Sequence, residues 1–187
     1  MNEFFEKYFT NYHKVLSTFL TDHDNKHSLE RVISLLLEVK KTNTSTLYLI
    51  GNGGSSAIAE HMAIDFTKNA GLRALAISGS PMLTTFANDY GYEYVFQKAI
   101  ERFAREGDIL MAISSSGASK NILNACATAK NKNMKIITFS GFDKNNPLRN
   151  CGTINFWVNS KSYGYVEMIH NLLIHYINDA IIGSSEY

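Results

Sequence analysis

The chain has 187 residues, 45% of them hydrophobic, which suits one α/β domain with a substantial core and is too short for two. Its 18 Lys and Arg residues nearly balance its 17 Asp and Glu residues, so no general basic surface is available to neutralise nucleic-acid phosphates. Without an apolar run of membrane-spanning length or a signal peptide's basic start and apolar core, we expect a cytoplasmic protein that binds neither nucleic acid nor membrane.

The first predicted elements are two helices. Apolar residues recur at helical spacing through residues 3–20 and again through 28–40. Residues 21–25 predict the turn between them, with Ser28 as the cap of the second helix. The first helix is rich in Phe and Tyr, which favours packing against a large partner such as another subunit. Residues 1–41 are therefore predicted to form a helical hairpin that takes part in oligomer contacts.

Beyond the hairpin, short β-rich runs alternate with helical patterns. The predicted strands are residues 46–50, 73–77, 108–113, 135–140 and 153–158. The predicted helices are residues 55–69, 81–104 with a break near Asn88–Gly91, 119–132 and 162–182, with a loop at 141–147 that leads into a short helix. This alternation predicts a parallel sheet with helices on both faces. With no repeat or linker, we expect a single domain over residues 1–187.

Two turns rich in Gly and Ser each follow a predicted strand and precede a predicted helix. They are Gly51–Ser56 and Ser114–Ser119. Such a turn exposes unpaired backbone N–H groups at the positive end of a helix dipole, which is a binding site for phosphate. Ligands of parallel sheets bind at the carboxyl ends of the strands, so both turns can hold one phosphorylated ligand. Neither the dinucleotide fingerprint nor the nucleotide P-loop is present, which disfavours those ligands.

The second turn places three hydroxyls, those of Ser114, Ser116 and Ser119, around one point. They can bind a phosphate together with backbone N–H groups and without Lys or Arg. The alternative is that these serines are ordinary helix caps, above all Ser119. The triple spacing after an apolar strand favours the phosphate site.

Two predicted helices each present imidazole and carboxylate groups on one face. His61 and Asp65 are four residues apart, and Glu167, Asn171 and His175 follow at the same interval on the last helix. Taken together they could bind a metal ion or act as an acid/base pair. Taken singly, each is more often a solvated polar group, and the residues alone leave these alternatives open.

Two smaller features complete the sequence. Asn88 and Asp89 lie where a long helical pattern breaks, as a simple turn or as groups that meet a sugar hydroxyl. Cys126 and Cys151 have neither CxxC spacing nor the density of a disulfide scaffold, so we expect reduced structural thiols.

With these motifs placed, the chain resembles the sugar isomerase (SIS) domain family, and within it the bacterial phosphoheptose isomerase branch, over nearly its whole length. The segments that carry the resemblance are Gly51–Ser55, His61, Ala87–Gly91, Arg105–Asp108, Ile113–Gly117, and Glu167 with His170 and His175. The resemblance implies a flavodoxin-like three-layer sandwich around a five-stranded parallel sheet. It also implies a homotetramer with active sites at subunit interfaces.

The same resemblance implies roles for individual residues. The substrate phosphate is held by Ser55, Ser114, Ser115, Ser116 and Ser119. Asn52 and Asp89 contact the sugar, and Gly53, Asn88 and Glu167 complete the binding set. One zinc ion per subunit is expected on His61, Asp65, Glu167 and His175. The catalytic acid/base groups are expected among Asp65, Glu167 and His175.

The implied reaction is the conversion of sedoheptulose 7-phosphate to D-glycero-D-manno-heptose 7-phosphate through an enediol(ate), which supplies heptose for lipopolysaccharide, capsule or another surface glycan. Two positions depart from the family pattern: many members have Glu in place of Asp65 and Gln in place of Glu167. The departures define a variant branch and leave two alternatives. One is a non-catalytic binding protein, such as the replication-initiator-associating member of this family. The other is an isomerase for another phosphosugar.

Overall fold

The computed structural model describes residues 2–186, which form a five-stranded parallel sheet between two layers of helices. The strands are β1 (Leu47–Gly51), β2 (Ala74–Ala76), β3 (Ile109–Ser114), β4 (Lys135–Ser140) and β5 (Ile154–Trp157), in the spatial order β2-β1-β3-β4-β5. The helices are α1 (Asn2–Thr21), α2 (His23–Thr42), α3 (Gly54–Lys68), α4 (Ser80–Tyr90), α5 (Val95–Phe103), α6 (Lys120–Asn131) and α7 (Tyr163–Ile182). Two 3₁₀ turns are Tyr92–Tyr94 and Pro147–Asn150. Within the described residues, no helix combines the length and apolar character needed to cross a membrane.

Successive side chains of the central strands point to opposite faces of the sheet and fill two separate cores. Leu47 and Leu49 pack with buried residues of α2, α3 and α7 on one face. Tyr48 and Ile50 pack with buried residues of α5 and α6 on the other. Because both faces are covered, the strand reads as a continuous apolar run, and each fully buried aliphatic side chain contributes about 1.5–3 kcal/mol. The predicted three-layer α/β sandwich is confirmed.

The predicted hairpin is present, but its turn differs from the prediction. The α2 helix begins at His23 and its cap is Asp22, whose carboxylate accepts the backbone N–H groups of Asp24 at 2.8 Å and Asn25 at 3.1 Å. The predicted cap, Ser28, is wrong, since it lies inside α2. The first turn of α2 is polar and mostly exposed, so it shows no apolar period from which a helix start can be read.

The break predicted in the long helical pattern is also present. The α4 helix ends before Gly91, which has a φ of 94° that side-chain-bearing residues rarely adopt. The chain then makes the first 3₁₀ turn and starts α5 at Val95. The predicted helix 81–104 is therefore two helices set at an angle by one glycine.

The pairing of the strands sets the two Gly/Ser turns side by side. Gly51 at the end of β1 pairs with Ile113, and Ser114 at the end of β3 pairs with Ser140 of β4. At the opposite edge, the buried Asp108 carboxylate accepts the N–H groups of Thr46 and Arg105, each at 2.7 Å. The central strands are thus fixed at one end, and their other ends carry the turns.

The last helix is anchored to the sheet by a buried histidine. His170 is fully buried, and its Nε2 lies 3.1 Å from the carbonyl oxygen of Ser140 at the end of β4. Because a carbonyl only accepts, Nε2 carries the hydrogen. The Nδ1 atom has no partner among the described residues. Burial lowers the pKa of His170 to about 4.

This histidine predicts how stability depends on pH. An unfolded His has a pKa near 6.5, so below that pH the unfolded chain binds the proton more readily than the folded chain. The stability that comes from keeping His170 neutral is fully present above pH 6.5, falls progressively below it and is fully lost once the pH has fallen through 4. We expect the free energy of unfolding to fall by about 2 kcal/mol between pH 7 and pH 5 through this group. His170→Gln should lose that pH dependence, measured by urea denaturation.

The matched control is His13→Gln, which removes an exposed histidine of α1. It should keep the pH dependence of the unmodified protein. If His170→Gln and the unmodified protein lose equal stability between pH 7 and pH 5, His170 is not the source of the pH dependence.

Candidate functional site

A cavity of about 250 Å³ lies at the carboxyl edge of β1 and β3. Its lining residues are Asn52, Gly53, Gly54, Ser55, Ser114, Ser115, Ser116, Ser119, Tyr163 and Glu167. Every predicted substrate-binding residue except Asn88 and Asp89 is in this set. No Lys or Arg of the described residues lines the cavity. The donors available to an anion here are hydroxyls, backbone N–H groups and the side-chain amide of Asn52.

The first turn is shaped by its glycines. A Cβ on Gly51 would lie 2.5 Å from the backbone of Ser55, so only glycine allows the chain to fold back so closely. Gly53 has a φ of 54° and precedes α3 without capping it by a side chain. The start of α3 lines the cavity through Gly53, Gly54 and Ser55.

The second turn is supported from behind by the loop that follows β4. Gly117 has a φ of 62°, and a Cβ on it would overlap the side chain of Asn146. The buried amide of Asn146 donates to Ser140 Oγ and to two backbone carbonyls, and the N–H of Leu148 donates to the Gly117 carbonyl at 3.0 Å. Sequence reasoning missed Asn146. The available signal was an Asn before Pro147, a pair that starts the second 3₁₀ turn.

Ser119 occupies the cap position of α6 but does not act as a side-chain cap. Its Oγ lies 3.4 Å from Ser114 Oγ, inside the cavity. The Ser116 hydroxyl accepts the N–H of Ala118 at 3.3 Å, and the buried Ser115 hydroxyl has no partner among the described residues. Hydroxyls that are free of the helix favour the phosphate interpretation over the capping one.

A second cavity of about 300 Å³ adjoins the first between α3 and α7. It is lined by Gly54, Ala57, Ile58, His61, Glu167, Met168, Asn171 and His175. Gly54 and Glu167 belong to both linings. The two cavities therefore adjoin at Gly54 and Glu167, and together we call them the cleft, with the serine-rich turn at one end and histidines at the other.

Three of the four predicted metal ligands come together at the histidine end. Asp65 Oδ2 lies 3.3 Å from His61 Nε2 and 3.9 Å from His175 Nδ1, and the ligand atoms of all three lie within 4.8 Å of one another. Atoms that share a tetrahedral zinc at about 2.0–2.1 Å are themselves about 3.3 Å apart. Two imidazoles and a carboxylate are also a donor set that zinc prefers, so these residues fit a zinc ion.

Glu167 stands apart from this group. Its carboxylate lies against Gly54 at the start of α3, where a Cβ would come within 2.6 Å of Oε2. Gly54 is thus the residue that makes room for Glu167. The carboxylate occupies the wall between the two ends of the cleft, so the structure places it beside both the serine-rich turn and the histidines.

Asn88 and Asp89 are not brought into the cleft. They lie exposed on α4, where the Asn88 amide donates to the Asp89 carboxylate at 3.0 Å, and they line neither cavity. None of the eleven residues of α4 is buried.

Tyr163, which sequence reasoning missed, lines the first cavity. Its ring packs edge-on with that of Phe142, with 4.8 Å between the ring centroids. Its only sequence signal is its place after the α7 cap, Ser162.

Comparison with known proteins gives concordant matches. The SIS domain family model matches residues 7–141. A phosphoheptose isomerase of Salmonella paratyphi B is 35% identical over 170 residues, which cover 88% of this chain and 86% of that protein. The solved phosphoheptose isomerase of Neisseria gonorrhoeae is 28% identical with a TM-score of 0.87, covering 96% of this chain and 98% of its own. That of Francisella tularensis is 25% identical with the same TM-score, covering 97% and 98%.

The position of Glu167 generates a prediction about anion affinity. A carboxylate in a cavity without Lys or Arg repels a bound phosphate dianion. Replacing it by the uncharged isostere, Glu167→Gln, should tighten the binding of inorganic phosphate by about threefold to tenfold in a chelator-treated protein at low salt. Isothermal titration calorimetry measures the change.

The control is Glu60→Gln, which removes an exposed carboxylate from α3, the same helix that opens on the cavity. It should leave phosphate affinity unchanged. Equal effects of the two substitutions would mean that only the overall charge matters, and that Glu167 does not face the anion.

Proposed function

Because the chain belongs to the SIS domain family, we propose that it is an aldose–ketose isomerase that converts sedoheptulose 7-phosphate to D-glycero-D-manno-heptose 7-phosphate. The observation that carries this proposal is the pair of adjoining cavities, one at the serine-rich turn and the other beside the group of His61, Asp65 and His175. One end of the cleft suits a phosphate, and the other suits proton transfer next to a carbonyl. The 35% identity to a phosphoheptose isomerase supports the choice of substrate.

The serine-rich end supports binding of the phosphate rather than of the sugar. Its donors are neutral and fixed by the fold, so they orient a dianion without a charged side chain that would also attract other metabolites. We assign the phosphate contacts to Ser55, Ser114, Ser115, Ser116 and Ser119, with Asn52 and Gly53 beside them. A ligand held there extends along the cleft past Glu167.

Isomerisation moves one proton between neighbouring carbons. A base removes the proton from C1 of the ketose, the C–H electrons form a C1–C2 double bond, and the carbonyl oxygen is protonated to give an enediol. The proton then returns to C2 while the C1 hydroxyl loses its own. Glu167 is the carboxylate outside the three-residue group and beside the path of the carbon chain, so we assign it the carbon-bound proton. His175 exchanges the proton on oxygen.

A zinc ion is part of this proposal, one per subunit, held by His61, Asp65 and His175, while Glu167, the fourth ligand expected from the sequence, is assigned to proton transfer instead. When bound, zinc would polarise the substrate carbonyl. The Asp65 carboxylate faces both imidazoles, with Oδ2 3.3 Å from His61 Nε2 and 3.9 Å from His175 Nδ1. The side chain of Asp65 is shorter than the Glu that many family members have at this position. We therefore assign Asp65 to zinc binding and Glu167 to the transfer of the carbon-bound proton.

Exposed apolar side chains support assembly into a homotetramer. On α7, Met168, Leu172 and Tyr176 follow one another at four-residue spacing and are 44–56% exposed, and Phe5 and Phe9 are similarly exposed on α1. Since Met168 also lines the cleft, a subunit on this face would close the histidine end.

We also infer that residues 1–187 act as one SIS domain, since α7 carries Glu167 and His175 and packs on α2 and α3. The free thiols Cys126 and Cys151 support a reducing, cytoplasmic location.

The proposed assembly predicts that one charge introduced on the exposed face of α7 weakens the contact between subunits. Leu172→Glu places a carboxylate in the α7 face, and because Leu172 is 44% exposed the subunit itself should still fold. We expect light scattering to report a smaller particle than the unmodified protein and turnover to fall with it. Phe103→Glu, an equally exposed position on α5 across the sheet, should keep the unmodified mass. An unchanged mass for Leu172→Glu would contradict this interface.

The function itself is tested by a proton NMR time course with sedoheptulose 7-phosphate in heavy water. We expect new anomeric signals with deuterium incorporation, lost on treatment with a chelator and restored by zinc. His175→Ala should lower the rate by about a hundredfold or more, whereas His13→Gln, an exposed histidine of α1, should not change it.

The same time course separates the alternatives. Turnover of a different sugar phosphate, with none of sedoheptulose 7-phosphate, would make the chain an isomerase for that sugar. Tight binding of sugar phosphates without turnover, even with zinc present, would make it a binding protein of the same fold.

A further inference from the structure

Asn52 is hydrogen-bonded to a buried asparagine in the helix that follows the other Gly/Ser turn. Asn52 Nδ2 donates to Asn121 Oδ1 at 3.0 Å, and Asn121 Nδ2 donates to Asn52 Oδ1 at 2.9 Å. Asn121 lies in the first turn of α6 and is only 3% exposed. The pair of amides therefore joins the end of β1 to the start of α6, directly beside the phosphate end of the cleft.

The orientation of both amides is determined by one backbone group. The N–H of Ile122 lies 3.0 Å from one side-chain atom of Asn121, and because a backbone N–H can only donate, that atom must be Oδ1. The atom of Asn52 that faces Asn121 Oδ1 must then be a donor, Nδ2. It follows that Asn52 Oδ1 faces Asn121 Nδ2.

A third residue uses the remaining acceptor capacity of Asn52. The hydroxyl of Tyr92, in the first 3₁₀ turn, donates to Asn52 Oδ1 at 2.9 Å. A carbonyl oxygen has two lone pairs, so Asn52 Oδ1 is now fully used. The Nδ2 group has two hydrogens, and only one of them has an acceptor among the described residues. Asn52, which lines the cavity, can offer the ligand a hydrogen but not a lone pair.

We propose that Asn121 is a positioning residue that holds Asn52 as an obligatory hydrogen-bond donor to the cleft. The substrate atom that meets Asn52 is then an acceptor oxygen, and we assign it as the carbonyl oxygen, which gains negative charge during isomerisation. Tyr92 assists by occupying the second lone pair of Asn52. This inference rests on the proposed isomerase activity for the identity of that oxygen, but not for the orientation of the amide.

The test is a double-mutant cycle on turnover. Asn52→Ala should lower kcat by about a hundredfold, as for other lost oxyanion donors. Asn121→Ala should lower it by about tenfold through misplacement of Asn52, with the affinity for inorganic phosphate unchanged. In the double variant, Asn121→Ala should add no further loss, because it acts only through Asn52. Losses that multiply would overturn the proposal and leave Asn121 a structural residue.

Two further variants separate positioning from general packing. Tyr92 is 57% exposed, so Tyr92→Phe should fold normally and lower kcat by a few fold if its hydroxyl holds Asn52. Asn124 is the matched control, since its amide also links α6 to the first 3₁₀ turn, through the Glu93 carbonyl at 2.9 Å, without touching Asn52. Asn124→Ala should leave kcat unchanged. An equal loss in Asn124→Ala would mean that anchoring of the turn, and not the orientation of Asn52, is what matters.

A second readout does not depend on turnover. In ¹⁵N-labelled protein, the side-chain amide signals of Asn52, identified by their loss in Asn52→Ala, should move toward those of a solvated amide in Asn121→Ala but not in Asn124→Ala. Unmoved signals would overturn the positioning role whatever the substrate is. Moved signals in a protein that turns over no sedoheptulose 7-phosphate would uphold the positioning role and refute the proposed reaction instead.

Discussion

Binding an anion without a single lysine or arginine is the constraint on which the site depends. Neutral donors hold a phosphate only if many of them converge, and the fold supplies them from two turns at once. Convergence requires adjacent strands that end at the same level, which the pairing of Gly51 with Ile113 and of Ser114 with Ser140 provides. It also requires backbone in close contact, and this is why side chains are excluded at Gly51, Gly54 and Gly117.

The second half of the site depends on where α7 is placed. His170 fixes the middle of that helix to the end of β4, and helical spacing then projects Glu167 and His175 toward α3, where His61 and Asp65 lie. A buried, neutral histidine serves as the anchor, while the helix residues on the neighbouring face remain available for chemistry. One helix thus contributes to the core and to the cleft with residues only a few positions apart.

The sequence was sufficient to predict a structural element wherever that element is determined by interactions between neighbouring residues. Strand and helix patterns predicted the sandwich, and the spacing of small residues predicted both turns, since strand ends and helix starts follow from neighbouring residues. It was insufficient where distant segments meet. The support of Gly117 by Asn146, the contact of Tyr163 with the cavity and the pairing of Asn52 with Asn121 each join residues that are 29 to 111 positions apart, and no periodicity encodes them. The family resemblance supplied what spacing left open, namely how His61 and Asp65 combine with His175.

The unburied α4 helix has a consequence for motion. It follows the short edge strand β2 and buries no side chain fully, and the 3₁₀ turn after it contacts the phosphate end of the cleft through the hydrogen bond of Tyr92 to Asn52. Segments with few buried apolar contacts open at a small fraction of the free energy needed to unfold the whole chain. Amide hydrogens of α4 should therefore exchange with solvent while those of β3 remain protected. In a subunit on its own, α4 is therefore a helix whose displacement costs little free energy.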